Sequence, residues 1–299
     1  MLMISTILNI DKDQGITSTN VDKQVKKITG AKKIGHVGTL DPLATGVLPV
    51  FMGQATRLIN FMNDKTKEYQ CDFELGLRSD TYDLEGEITK VQNKVFVSIE
   101  ELNSVISSFI GNSFQIPPKY SSVKYKGKRS YNLVRKGIEF SLEPKSIYIE
   151  DIKIIETNIP FISLVVKCHE GVYIRSLIND IGEKLKCGAV LTKLRRIRSG
   201  IFSIDSSISI QHSTNDHWKM HTIPIDYLIN HLPKLNTSND EKYKLITGQT
   251  TNIKYSDIKL SDQALARCYD NENMFIGIAK YDETNDIFLP HKMFLQVTK

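Results

Sequence analysis

Apolar and polar residues alternate along this chain with two different periods, and the two periods predict different elements. A period of two, with every second residue apolar, is typical of a strand that buries one face. Strands are predicted in this way at 69–75, 162–168, 263–268 and 275–279. Apolar residues three and four positions apart predict helices that run from Ser18 to Gly30, from Ser98 to Phe109 and from Leu177 to Gly188. Because strands and helices follow one another irregularly, we predict an α+β fold.

A polar stretch near residue 235 divides the chain into two predicted domains. Residues 231–240 combine Pro233 with Asn, Thr, Ser and Asp and contain few apolar side chains, which is typical of a linker. The length of 299 residues allows one or two domains at ~150 residues each. We therefore predict a larger domain at 1–235 and a small β-rich domain at 241–299.

The composition excludes several classes of protein. Hydrophobic residues make up 40% and charged residues 24%, which argues against a disordered or fibrous chain. The longest apolar runs are far shorter than the ~20 residues that cross a bilayer, and the N-terminus has no secretory signal pattern. The four cysteines match neither a disulfide framework nor a pair of metal ligands. These features predict a cytoplasmic protein without membrane contact.

The net charge of +5 is unevenly distributed along the chain. Residues 119–145 contain eight basic and two acidic side chains, and residues 184–198 contain six basic side chains and no acid. Local basic segments on an otherwise mildly acidic chain are typical of proteins that bind a phosphate backbone. A solvated loop and a helix end with long basic side chains would give the same pattern, so charge alone leaves both interpretations open.

The most informative segment is residues 35–50, GHVGTLDPLATGVLPV. Its glycines and its Asp-Pro pair predict a rigid irregular loop that enters an apolar strand. Neither of the common glycine-rich phosphate-binding motifs can be aligned with it. Pro42 restricts the backbone after Asp41 and the glycines allow a large ligand to approach, so the loop is suited to present one reactive carboxylate. From the residues alone, an aspartate that only opens an Asp-Pro turn is the simpler alternative.

This loop resembles the signature GHxGTLDPxATGVLP of the TruB family of tRNA pseudouridine synthases, and it matches that signature at every fixed position. Further segments resemble the family's other motifs in the same order along the chain. They are 8–18 with Asp13 in place of a proline, 67–69, 76–86 with Ser79 in place of a threonine, 109–137 with a departure at Ser122, 171–177 with Val172 in place of a threonine, 194–196 and 199–200. The departures are exchanges that lie away from the reactive groups.

The resemblance implies a pseudouridine synthase fold with a mixed, mostly antiparallel central sheet flanked by helices and loops. Residues 1–235 would then form the catalytic domain, 119–145 a basic thumb-like insertion that clamps RNA, and 241–299 a PUA-like domain. The implied reaction converts uridine 55 in the T-loop of tRNA to pseudouridine after the base has flipped out. Because this reaction is an isomerisation, we expect no cofactor and no metal.

The resemblance also implies roles for single residues. Asp41 would act as the nucleophile or base, Tyr69 would stack on the target base and take the proton from C5, and Arg175 would pair with Asp41. We expect Arg175 to hold Asp41 through two parallel hydrogen bonds and to keep it ionised. The implied substrate-binding residues are His36, which would stack within the opened T-loop, and Tyr173, Leu194, Lys12, Lys124, Lys128 and Arg129.

Two other functions remain open from the sequence. A guide-RNA-dependent pseudouridine synthase shares the aspartate loop, although the Leu43–Gly46 version of the loop resembles the bacterial stand-alone enzymes. A non-catalytic RNA-binding or tRNA-folding module would use the same basic segments. The expected partner is the T-stem loop of tRNA, with no obligatory protein partner and a monomeric state. Activity on a bare tRNA transcript would separate the three functions.

Overall fold

A computed structural model of the chain describes residues 4–91, 94–210, 217–253 and 260–294. The helices are α1 (Ser18–Thr29), α2 (Ile99–Ser107), α3 (Ser130–Val134), α4 (Ile174–Lys184) and α5 (Asn239–Ile246). The strands are β1 (Thr6–Lys12), β2 (Ile34–His36), β3 (Thr45–Met52), β4 (Lys67–Leu75), β5 (Leu77–Ser79), β6 (Ile88–Lys90), β7 (Gly111–Gln115), β8 (Lys124–Tyr125), β9 (Lys128–Arg129), β10 (Lys145–Asn158), β11 (Phe161–Cys168), β12 (Ala189–Ser199), β13 (Phe202–Ser203), β14 (Ile208–Ser209), β15 (Lys234–Asn236), β16 (Leu265–Tyr269), β17 (Phe275–Asp282) and β18 (Ile287–Met293). None of the helices in these ranges is long and apolar enough to cross a membrane.

Ten of these strands form the central sheet. Eight of them follow the order β14-β1-β3-β12-β4-β11-β10-β7, and β2 and β13 are added through β3 and β12. The pairs β1/β14 and β3/β12 are parallel. The other pairs of this sheet are antiparallel. The predicted α+β class and the mixed, mostly antiparallel sheet are therefore confirmed.

Hydrophobic cores lie against both sides of the central sheet. The alternating apolar residues of β4 are buried in the main core together with the apolar faces of α1, α2 and α4. Residues of β3 alternate between this core and a second one, in which Phe51 and Leu58 pack with Ile278 and Phe294 from the C-terminal region. The strand period of two thus lets β3 connect both cores.

The helix predictions are confirmed, with differences at their ends. The side chain of Thr17, one residue before the predicted start, caps α1 by accepting a hydrogen bond from Asn20 N, and Gly30 ends the helix with a φ of 70°. Ser98 caps α2 by accepting a hydrogen bond from the Glu101 amide. Helix α4 begins three residues before the predicted Leu177, with Tyr173 as its N-cap residue. This earlier start brings Arg175 into the first turn of α4.

The predicted linker at 231–240 is wrong. Strand β15 lies within it and pairs in parallel with β16, which makes it the edge of a four-stranded sheet of order β15-β16-β17-β18. The polar residues that suggested a linker are the start of α5, where Ser238 and Glu241 form a capping box. Short polar residues favour helix caps as well as loops, so composition does not distinguish the two. The predicted domain boundary falls inside this sheet.

The basic segment at 119–145 forms a hairpin and a short helix. Strands β8 and β9 pair around Lys126 and Gly127, which both have positive φ, as a two-residue hairpin turn requires. At the base of the hairpin, the Ser130 hydroxyl is fully buried and donates to Ser121 O at 2.8 Å. We call residues 121–130 the basic hairpin.

Candidate active site

Asp41 lies in the loop between β2 and β3, and two contacts hold this loop against the start of α1. Ser18 Oγ accepts a hydrogen bond from Leu40 N at 2.8 Å and donates one to Leu40 O at 3.0 Å. On the other side of Asp41, Gly15 N donates to Pro42 O at 2.8 Å. The backbone on both sides of the carboxylate is therefore fixed by the segment that connects β1 to α1.

Lys12, the last residue of β1, also contacts the Asp41 loop. Its side chain is only 1% exposed, and its ammonium group donates hydrogen bonds to the carbonyl oxygens of Asp13, Ile16 and Pro42 at 2.8–3.3 Å. Burial lowers the pKa of Lys12 to about 8, against the opposing attraction of Asp41. Contact between Lys12 and substrate stays a prediction. The geometry shows its ammonium group bound to three carbonyl groups. It indicates that Lys12 positions the Asp41 loop.

Arg175 pairs with Asp41, but not in the predicted two-pronged geometry. Its Nε atom lies 2.9 Å from Asp41 Oδ2. Its Nη2 donates to Tyr120 O at 2.9 Å, and its Nη1 donates to Thr81 O at 3.3 Å and lies 3.4 Å from Asp83 Oδ2. The expectation of two parallel bonds is wrong because the second edge of the guanidinium is used by other groups. Arg175 therefore joins four partners around the site.

The electrostatics of Asp41 follow from this arrangement. The side chain of Asp41 is 36% exposed, whereas that of Asp83 is 1% exposed. Desolvation raises the pKa of Asp41 above its ordinary value; Arg175 lowers it and the charge of Asp83 raises it further. The net direction is upward, so Arg175 opposes the effect of burial without outweighing it. Arg175 is thus the main neighbour that favours the ionised form of Asp41.

Asp41 opens into a cavity of about 240 Å³ at the junction of β4, β12, α4 and the loop. The side chains of Tyr69, Tyr173, Arg175 and Leu194 line this cavity together with Asp41. Further lining residues are Gly38, Thr39, Leu40, Lys67, Ser121, Ser122, Gly171, Val172, Ile174 and Arg196. The structure therefore brings together all three predicted catalytic residues and two of the predicted substrate-binding residues.

Tyr69 and Tyr173 form parts of the wall in different ways. Tyr69 lies on β4, and burial raises the pKa of its phenol against the opposing charge of Arg196. Tyr173 precedes α4, and its backbone is held on both sides by Gln115, which accepts from Tyr173 N at 2.8 Å and donates to Tyr173 O at 3.1 Å. Burial also raises the pKa of Tyr173. Both phenols are thus protonated at neutral pH.

His36 and the basic hairpin lie around the cavity rather than in its wall. His36 Nδ1 lies 2.8 Å from Asp22 Oδ2 and its Nε2 lies 3.1 Å from Thr39 Oγ1, and Thr39 does line the cavity. Lys124, Lys128 and Arg129 are exposed on the hairpin strands. Ser121, at the base of the hairpin, lines the cavity. Contact of these four basic residues with RNA remains a prediction.

Sequence reasoning missed several residues of this site. Asp83 shares Arg175 with Asp41, and Ser18 fixes the loop, although both fall within segments that matched the family's motifs. Lys67 and Arg196 line the cavity from neighbouring strands. A single polar residue in an alternating strand pattern gives no signal of the pocket it faces. Among the described ranges, no group of three or more His, Cys, Asp and Glu side chains is placed to hold a metal ion.

Two family models match consecutive parts of the chain. The model described as "TruB family pseudouridylate synthase (N terminal domain)" matches residues 26–174. The model described as "tRNA pseudouridylate synthase B C-terminal domain" matches residues 175–232. The boundary between the two models falls beside Arg175, so the cavity draws residues from both matched parts.

Curated relatives and solved structures agree with these models. The chain is 43% identical over 272 residues to a tRNA pseudouridine synthase B of Clostridium novyi, which covers 91% of this chain and 94% of the relative. It is 38% identical over 294 residues to the protein of that name from Dehalococcoides mccartyi, with 97% and 96% covered. A chain in a structure described as an H/ACA RNP bound to a substrate RNA containing 2'-deoxyuridine has the same fold, with a TM-score of 0.68, 22% identity and 97% and 85% covered. This chain therefore belongs to the TruB family of tRNA pseudouridine synthases.

Proposed function

We propose that this protein converts uridine 55 in the T-loop of tRNA to pseudouridine, with Asp41 as the catalytic carboxylate. The observation that carries the proposal is the position of Asp41, whose carboxylate opens into a cavity between an arginine, a buried tyrosine and an apolar wall. A cavity of about 240 Å³ has room for one flipped base. The membership of this chain in the TruB family supports the same reaction.

The chemistry requires the bond between C1′ and N1 of the target uridine to break and a bond between C1′ and C5 to form. Asp41 supplies the nucleophile or base that starts this exchange, and Arg175 favours its ionised form in a desolvated site. The freed base turns within the cavity between Tyr69 and Leu194. C5 then loses its proton and N1 gains one. Tyr69, whose phenol is protonated, gives its proton to N1 and takes the proton from C5, so it ends the reaction unchanged.

The surroundings of the cavity support recognition of a tRNA loop. The basic hairpin starts at the cavity wall and presents Lys124, Lys128 and Arg129 to solvent, where they can neutralise backbone phosphates. His36, next to the cavity, offers an aromatic ring for stacking in the opened loop. The protein acts in this proposal as a monomer without an obligatory protein partner, on tRNA in the cytoplasm.

The test is to incubate the purified protein with an unmodified tRNA transcript and to map pseudouridine at nucleotide resolution. The wild-type protein should produce pseudouridine at position 55. Asp41→Asn keeps the size of the side chain and removes its charge, so T-loop RNA should bind within about tenfold, or ~1.4 kcal/mol, while single-turnover product formation becomes undetectable. Asp151→Asn, an exposed carboxylate on β10, is the matched control and should retain full activity.

The same experiment separates the other two functions. A guide-RNA-dependent synthase would leave the bare transcript unmodified and become active only when a guide RNA is added. A non-catalytic module would bind the transcript in both proteins and modify it in neither. Product formation by Asp41→Asn, with deamidation back to aspartate excluded by mass spectrometry, would remove Asp41 from the mechanism.

A further inference from the structure

A pair of basic side chains in the cavity wall has no carboxylate partner. Lys67 on β4 and Arg196 on β12 line the cavity opposite Asp41, and neither forms an ion pair with any carboxylate in the described ranges. Arg196 is fully buried. A buried guanidinium without a counter-charge is costly, because desolvation is not offset by attraction to an anion.

Arg196 has few acceptors within the protein for its five N–H donors. Its Nε donates to Val47 O at 2.7 Å. Within the described ranges Nη1 and Nη2 make no well-aligned hydrogen bond, although the guanidinium lies close enough to the Tyr69 phenol to interact with it. Most buried polar groups in folded proteins are satisfied. The four N–H groups on Nη1 and Nη2 exceed what the Tyr69 phenol can accept, which indicates a missing acceptor at the cavity wall.

Lys67 lies close to these donors and reaches the rim of the cavity. A Cβ atom built on Gly38 would lie 2.8 Å from Arg196 Nη1 and 3.1 Å from Lys67 Cε, so both side chains meet at the same point. Lys67 also lines a second, outer cavity with Lys65, Glu170 and Gly200. Glu170 in that outer cavity attracts Lys67, but it is itself paired with Lys65 at 2.9 Å. Lys67 therefore stands where the inner cavity opens to the surface.

We propose that Lys67, with Arg196 behind it, binds a backbone phosphate that flanks the flipped uridine. Lys67 contacts the phosphate directly and Arg196 supplies the second positive charge at the wall. Two adjacent cations select an anion over the neutral carbonyl groups of a base, and the only anions along an RNA strand are its phosphates. The position at the rim fits a backbone that passes over the cavity while the base points toward Asp41. Burial and the charge of Arg196 lower the pKa of Lys67, which a bound phosphate would oppose.

This inference rests on the proposed function, because it assumes an RNA substrate with a flipped base. The test uses T-loop RNA hairpins in which one of the two linkages flanking the target uridine is a neutral methylphosphonate, with the diastereomers separated. Binding is measured in the Asp41→Asn background, so that substrate is not converted. Lys67→Gln is added to that background, and Lys153→Gln on β10 is the control, because Lys153 is an exposed lysine outside the cavity.

We expect the neutral linkage at one of the two positions to weaken binding about tenfold in the parent, as for a charge-assisted hydrogen bond. The same linkage should cost less than about twofold in Lys67→Gln and the full tenfold in Lys153→Gln. Equal losses in the parent and in Lys67→Gln at both positions would overturn the proposal, and so would the absence of any loss. Arg196→Gln, which removes the second positive charge, should also reduce the effect of that linkage if its thermal unfolding stays cooperative. The Lys67 comparison decides the proposal without it.

The proposed function is checked separately, by product mapping with the wild-type protein and unmodified RNA. If pseudouridine forms and the phosphate does not couple to Lys67, only the phosphate site fails. If no pseudouridine forms while the coupling is found, only the reaction assignment fails.

Discussion

At the scale of single residues, the two carboxylates of the site share one arginine. Asp41 and Asp83 both approach Arg175, and Lys12 lies beneath the same loop with its charge enclosed by backbone carbonyls. Desolvation dominates the pKa of both Asp41 and Lys12, in opposite directions for acid and base. Activity and stability should therefore depend on pH through identifiable groups.

Arg175→Lys should impair chemistry more than binding. Lysine cannot join Asp41, Asp83, Thr81 O and Tyr120 O at once, because it lacks the planar fork of arginine. With weaker attraction the pKa of Asp41 rises further, so the acidic limb of the pH–rate profile should move to higher pH. We expect the single-turnover rate at neutral pH to fall at least ~100-fold, with RNA affinity within ~tenfold. An unchanged acidic limb would show that Arg175 does not set the ionisation of Asp41.

Lys12 should make stability rise with pH over a defined window. Its pKa is about 8 in the folded protein and 10.5 as its ordinary value, so the unfolded chain binds more protons between these values. The free energy of unfolding contributed by Lys12 therefore increases as pH rises from about 8 to 10.5, by up to ~3 kcal/mol. Denaturant unfolding of the wild type and of Lys12→Met across this range isolates the contribution. Parallel pH dependences in the two proteins would contradict the assignment.

At the scale of elements, the parallel pairing of β3 with β12 holds the Asp41 loop against the cavity wall. Gly46 pairs with Arg196 across these strands. It has a φ of 100°, and a Cβ atom there would lie 2.2 Å from Arg196 O. The absence of a side chain is thus what allows the two strands to approach where the loop ends.

Gly46→Ala should therefore separate β3 from β12. We expect the free energy of unfolding to fall by more than ~3 kcal/mol, since backbone strain and a steric clash act together. Gly15→Ala is the matched control, because its φ is 83° and nothing lies within 4 Å of the added atom. The free energy of unfolding of that variant should fall by only ~1 kcal/mol, through backbone strain alone. Similar losses in both variants would mean that close strand approach at Gly46 contributes little.

At the scale of the whole molecule, part of the positive charge is gathered on the basic hairpin. The net charge is only +5, yet the basic hairpin carries exposed Lys124, Lys126, Lys128 and Arg129 and is anchored at the cavity by Ser121. The C-terminal sheet packs against the central sheet through a shared core, where Arg57 donates to Met293 O at 3.0 Å. A potential localised beside the cavity favours approach of RNA from that side.

Replacing these four hairpin residues with Gln should weaken tRNA binding and reduce its salt dependence. Each lost phosphate contact should flatten the slope of log affinity against log salt by ~0.7 to 0.9. Replacing Lys153, which lies outside the hairpin, should leave the slope unchanged. Binding titrations at several salt concentrations make the comparison. A quadruple variant with the wild-type slope would show that the hairpin does not touch the RNA backbone.

Local patterns in the sequence were sufficient for most elements and for the central loop. Some features depend only on neighbours within a few positions, so the sequence predicts them directly. They are the alternation in β4 and β11, the glycine that ends α1 and the Asp-Pro pair at residue 41. The resemblance to a known family then identified Asp41, Tyr69 and Arg175, and the structure places these three around one cavity. The same local reading failed at 231–240, because short polar residues serve both loops and helix caps.

The remaining features were decided only by tertiary structure, because they depend on residues distant in sequence. Asp83 reaches Asp41 only through Arg175, which arrives from α4, more than 90 positions away. The sequence shows Lys12 only as a lysine, a residue type that is usually exposed. In the structure, the turn after β1 encloses its ammonium group within carbonyl oxygens. Lys67 and Arg196 become a pair only because β4 and β12 are adjacent in the sheet. Strand order and the burial of single charged side chains, which no local pattern encodes, therefore decide which charges face the cavity and which only support it.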